Sequence, residues 1–76
     1  MARSRTRRSQ SEWRIEQVSK TPRARYDVFH HDHLIRSEVS SSEARAATGH
    51  DVDVEFVAPD GYVAFMGIDE ALEYGI

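Results

Sequence analysis

Residues 51–68 read DVDVEFVAPDGYVAFMGI, and this stretch decides the fold. Val52, Val54, Phe56 and Ala58 alternate with Asp51, Asp53, Glu55 and Val57, the period of two expected of a strand with one buried face. Ala58-Pro59-Asp60-Gly61-Tyr62 comes next. Proline presets the φ of a type I turn, and glycine takes the positive φ of the bulge that closes a three-residue hairpin loop. The predicted register pairs Ala58 with Tyr62, Val57 with Val63, Phe56 with Ala64, Glu55 with Phe65 and Val54 with Met66. Val52, Val54, Phe56, Ala58, Tyr62, Ala64, Met66 and Ile68 then share an inner face. Asp51, Asp53, Glu55, Val57, Val63 and Phe65 share the outer one.

A short helical turn over 70–74, capped by Asp69 and ended by Gly75, is expected after this hairpin, with Ala71 and Leu72 turned inward. Before it, Ser40-Ser41-Ser42-Glu43 is a capping box. The Ser40 hydroxyl can accept from the Glu43 amide while the Glu43 carboxylate reaches back to the Ser40 amide. Val39 and Ala44 occupy the hydrophobic-staple positions, Ala44, Ala46 and Ala47 favour helix, and Gly49 stops it, which predicts a helix over 41–48. Two turns of helix need a sheet to lie on.

Further back, Arg25 to Val39 reads as a second hairpin with His31-Asp32 at its tip. The expected partners are His30–His33, Phe29–Leu34, Val28–Ile35, Asp27–Arg36, Tyr26–Ser37 and Arg25–Glu38, a register in which both charged pairs are opposite in sign. Alternation from Trp13 to Val18 predicts one more strand, with Trp13, Ile15 and Gln17 on one side, and Ser19 to Arg23 forms a loop around Pro22. The expected fold class is therefore α+β. A small antiparallel sheet of about five strands, in chain order β-β-β-α-β-β-short α, carries one short helix packed on it. Residues 13–76 form this single domain. Residues 1–12, with nothing to bury, are expected to be a disordered basic arm.

Charge is sorted along the chain. Residues 1–25 sum to +6 and residues 50–76 to −7, with no Lys or Arg among the latter, against a total of −3. Two regions of opposite sign steer partners. The absence of cysteine removes disulfides, thiolate metal sites and a cysteine nucleophile together. No apolar run approaches the ~20 residues that span a bilayer, and the basic start lacks the apolar segment of a secretory signal. A cytoplasmic location is the expectation.

The outer face of the last hairpin is the leading candidate for recognition. Asp51, Asp53 and Glu55 are expected in a row, ~6.6–6.8 Å between neighbours, a spacing close to the phosphate repeat of a nucleic-acid strand. Val57, Val63 and Phe65 lie beside them. An apolar patch rimmed by carboxylates suits a protein interface. The plain alternative is the solvated side of a half-buried strand, with the three apolar residues covered by another element. In size, lack of cysteine and acidic hairpin face, the chain is similar in general character to the small phage-encoded inhibitors of host defence, anti-CRISPR proteins among them. That resemblance implies a basic protein partner, such as a nucleic-acid-binding protein or complex, and nucleic-acid mimicry as the mode of binding. No motif carries it.

Other readings compete. Arg3, Arg5, Arg7 and Arg8 could tether the chain to nucleic acid by displacing counterions from phosphates. A homodimer completing the Tyr62–Met66 edge is compatible with docking on a basic partner. His30 and His33 would be cross-strand neighbours able to share a metal ion, with Asp32 or His50 as third ligand, but the spacing matches no zinc signature. An exposed polar hairpin tip explains them as well. Ser40 to Ser42 have a capping role, and neither a nucleophile elbow nor a glycine-rich phosphate cradle is present. A non-enzymatic protein without a cofactor is expected.

Overall fold

The computed structural model describes residues 12–76. Its elements follow the expected order: β1 (Trp13–Ser19), β2 (Arg25–His30), β3 (His33–Val39), α1 (Ser41–Thr48), β4 (Asp53–Val57), β5 (Val63–Gly67) and α2 (Ile68–Tyr74). One five-stranded sheet forms in the order β3-β2-β1-β4-β5. The α+β class stands, and the sheet is mixed rather than purely antiparallel. Strands β1 and β4 run parallel, pairing Trp13 with Val54, Arg14 with Glu55, Ile15 with Phe56 and Glu16 with Val57. Hairpin signals specify neighbours in sequence, whereas this central pair joins two separate hairpin units. Residues 1–11 of the expected arm 1–12 lie outside the described residues, whereas its last residue, Glu12, is described and is hydrogen-bonded to His30.

The β4–β5 hairpin has the expected register at every pair from Val54–Met66 to Val57–Val63. Its turn closes through Ala58 N–H to Tyr62 O (2.8 Å) and Gly61 N–H to Ala58 O (2.9 Å), with Gly61 at φ 95°. The β2–β3 hairpin keeps its expected register only next to the turn. His30 faces His33 and Phe29 faces Leu34, but Val28 then faces Arg36 and Tyr26 faces Val39, across two irregularities. Two physical facts account for the slip. Adjacent Leu34 and Ile35 define no single face, and the shift brings half-buried Val39 against the core just before α1. Glu38 takes φ 55° and its amide donates to the Asp27 carboxylate at 2.9 Å. The expected Asp27–Arg36 and Arg25–Glu38 ion pairs are absent: Arg36 Nη1 donates to the Ile35 carbonyl and Arg25 Nη1 to the Glu38 carbonyl.

Both helices pack on one face, α1 over β2 and β3 and α2 over β4 and β5. The capping box of α1 is complete: Glu43 N–H donates to Ser40 Oγ at 3.2 Å and Ser40 N–H to Glu43 Oε1 at 3.0 Å. Hydrogen bonding from Ser40 holds the Glu43 carboxyl below its ordinary value. Helix α2 starts two residues earlier than expected, at Ile68, and Asp69 is not its cap. The Ile68 amide donates to the Val52 carbonyl at 2.8 Å, which satisfies one of the helix's unpaired donors without a side chain. Asp69, now inside the first turn, lies 3.1 Å from Arg45 Nε of α1.

Beneath the helices, Ile15, Tyr26, Val28, Ala44, Val54, Phe56, Ile68, Ala71 and Leu72 form the buried core. Gln17 is buried among them, its amide donating to the Gly75 carbonyl at 2.7 Å. Gly75 is required by close approach: a Cβ there would stand 2.6 Å from Tyr26 Oη. Among the described residues no helix is long and apolar enough to cross a membrane.

Candidate functional site

Strand alternation turns a second set of side chains away from the helices. The registers align one cross-strand row, Leu34–Phe29–Arg14–Glu55–Phe65, over all five strands. A second row, Asp27–Glu16–Val57–Val63, runs beside it over β2, β1, β4 and β5. Neither α1 nor α2, the helices among the described residues, covers this face. Phe65 is 54 % exposed, Leu34 52 % and Val63 47 %, so the sheet presents an apolar surface to water along both margins.

Arg14 organises the centre. Its Nε lies 2.9 Å from Glu16 Oε2 and its Nη1 2.9 Å from Asp32 Oδ1, while the guanidinium carbon sits 4.1 Å above the centre of the Phe29 ring. Two carboxylates neutralise the one cation and the aromatic ring fixes its plane. Asp27 accepts the Glu38 amide.

The three acids of the last hairpin have three different environments. Asp51 precedes β4 in a bend with φ 57° and is exposed, Asp53 opens β4 and is exposed, and Glu55 is only 9 % exposed. Glu55 sinks because β4 is an interior strand, so Arg14 and Phe65 flank it on either side. Val57 is half-buried beside Val63. Of the expected row of three carboxylates, only Asp53 and Glu55 belong to β4, and of these two only Asp53 is exposed. The apolar residues Val63 and Phe65 are presented as expected, uncovered by α2 or β1.

The histidines separate. His30 and His33 are cross-strand partners, as expected, but among the described residues the cluster of potential metal-ligand atoms is Glu12, His30 and His31. Glu12 Oε2 lies 2.6 Å from His30 Nε2 and 3.9 Å from His31 Nε2. The hydrogen bond from His30, helped by the charge of both imidazoles, holds the Glu12 carboxyl below its ordinary value. Asp32 is taken by Arg14 and does not join them. No local sequence pattern marks Glu12, which ends a polar stretch. The signal that could have found it is its position opposite the hairpin tip once β1 pairs with β2.

On the helix side, a shallow cleft between α1 and α2 is lined by Ser41, Ser42, Arg45, Asp69, Leu72 and Glu73. Ser40 Oγ is engaged with Glu43 and Ser42. Arg3, Arg5, Arg7 and Arg8 of the tether reading lie outside the described residues. The chain matches no family model, no curated protein and no solved structure.

Proposed function

We propose that the protein is a non-enzymatic binding protein that docks through the helix-free face of its sheet on a protein partner with a basic surface. The observation that carries this reading is the exposure of Phe65, Val63 and Leu34 on the face that also holds Glu16, Asp27 and Asp53. Exposed aromatic and aliphatic side chains beside carboxylates provide anchors and a steering field of negative sign. The central cation, Arg14, is already neutralised by Glu16 and Asp32, so it does not oppose a basic partner. A narrower form of the reading is an inhibitor that occupies the nucleic-acid-binding surface of a host-defence protein. With Glu55 enclosed, that form rests on Asp51 and Asp53 for charge and on Val63 and Phe65 for contact.

The test begins with capture of partners from the native host, followed by titration of each purified partner against the full chain. A basic partner is expected, with affinity that falls as salt rises. The double substitution Val63→Ser, Phe65→Ser is expected to weaken binding about tenfold or more, as truncation of an interface anchor does. Equal affinity of the double variant, or affinity indifferent to salt, rejects the reading.

A further inference from the structure

We propose that Glu12, His30 and His31 form a three-ligand site for a divalent transition-metal ion such as Zn2+, joining the start of β1 to the β2–β3 turn. The three ligand atoms all lie within 4.8 Å of one another. Two imidazoles and one carboxylate are a donor set that suits Zn2+ and its neighbours, and three protein ligands leave a position for water.

The backbone holds the ligands together independently of their side chains. The His31 amide donates to the Glu12 carbonyl at 2.9 Å, which anchors the turn to the residue before β1. His31 and Asp32 both adopt left-handed φ, 51° and 67°. That conformation costs most non-glycine residues about 1–2 kcal/mol, and here it directs His31 back over Glu12. His30 is fixed from the other side by stacking on Trp13, with ring centroids 4.1 Å apart. Metal–ligand bonds of ~2.0–2.1 Å in tetrahedral geometry place neighbouring ligand atoms ~3.3 Å apart. Glu12 must therefore draw back slightly from His30, and His31 must close slightly. Both side chains are more than half exposed and free to do so, while the anchored His30 stays in place. The ion would replace the hydrogen bond that now joins Glu12 to His30. Residues 1–11 contain no His, Cys, Asp or Glu that could compete as side-chain ligands.

The full metal-free chain is titrated with Zn2+ by calorimetry, with fluorescence of Trp13, the only tryptophan, as a second readout beside the site. One ion per chain is expected, with a change in Trp13 emission that saturates at the same ratio. His31→Asn keeps a residue at ease with left-handed φ, and Glu12→Gln keeps shape. Each is expected to weaken binding by about 10–100-fold or more, since even the outer partners of a metal site are worth that much. His33→Ala and His50→Ala, outside the cluster, are expected to bind as the parent does. Absence of binding overturns the proposal, and so does a loss in His33→Ala or His50→Ala as large as that in His31→Asn. Far-UV circular dichroism of each variant confirms that the fold is retained.

Discussion

The two faces of the sheet are built from the same kinds of residue and meet opposite surroundings. Beneath the helices, Phe56, Tyr26, Ile15, Val28 and Val54 have no contact with water. On the other side, Phe65, Leu34 and Val63 remain about half exposed, and Phe29 is partly covered by the Arg14 guanidinium. Helices α1 and α2 together contain 15 residues, enough for one layer over one face. In a domain this small, apolar character alone does not decide what is buried; the position of the covering element does. The open face is the one whose aromatic residues stabilise the fold least and are most available to a partner.

Substitutions on the two faces are expected to differ in their effect on stability. Phe56→Ala on the covered face is expected to cost about 3–5 kcal/mol, enough to unfold much of a small domain, as read by urea denaturation. Gly75→Ala comes next, because the new Cβ meets Tyr26 Oη at 2.6 Å. A loss of about 1–3 kcal/mol is expected from such overpacking. Adding Tyr26→Phe should recover part of it, and strictly additive losses would show that the contact is not the cause. Ser40→Ala removes the α1 cap and is expected to cost about 1 kcal/mol, with helicity lost first in α1 by amide exchange.

Acid acts on a smaller scale. The Glu43 carboxyl in the folded protein lies below its ordinary 4.5 because Ser40 hydrogen-bonds its charged form. Its contribution is therefore complete above 4.5 and is lost as pH falls through the lower folded value. Glu43→Gln should flatten that part of the acid limb of stability measured between neutral pH and the onset of acid unfolding. An unchanged limb would remove the capping carboxylate from the account. The smallest effect on stability is expected from Phe65→Ala on the open face, within about 0.5 kcal/mol of the parent, although binding should suffer. A loss as large as that of Phe56→Ala would mean that the open face is part of the core.

Legibility in the sequence follows the range of the interaction that each element depends on. The β4–β5 hairpin was readable pair by pair because Pro59-Asp60-Gly61 sets the turn and alternation sets the faces. The α1 cap was readable because Ser40 and Glu43 are three residues apart. The β2–β3 register was readable only for its first two pairs, since the bulge that admits Val39 answers to the core rather than to the turn. The parallel β1–β4 pairing has no local signal, and it changes the candidate site most. It encloses Glu55 and places Arg14 beside it. The same limit applies to Glu12, whose role is defined by residues 18 and 19 positions away.

The parallel β1–β4 pairing also orders events in time. Strand β1 emerges before β4 during synthesis, and one of its edges waits for a partner that begins at Asp53. Until β4 arrives, β1 exposes a row of unsatisfied backbone groups to any other extended chain. Closing so long a loop also makes the central pairing slow relative to either hairpin. A chain cut after α1 therefore loses more than its last hairpin: it keeps a sheet whose middle strand has become an open edge, prone to self-association. The β4–β5 hairpin is what seals β1.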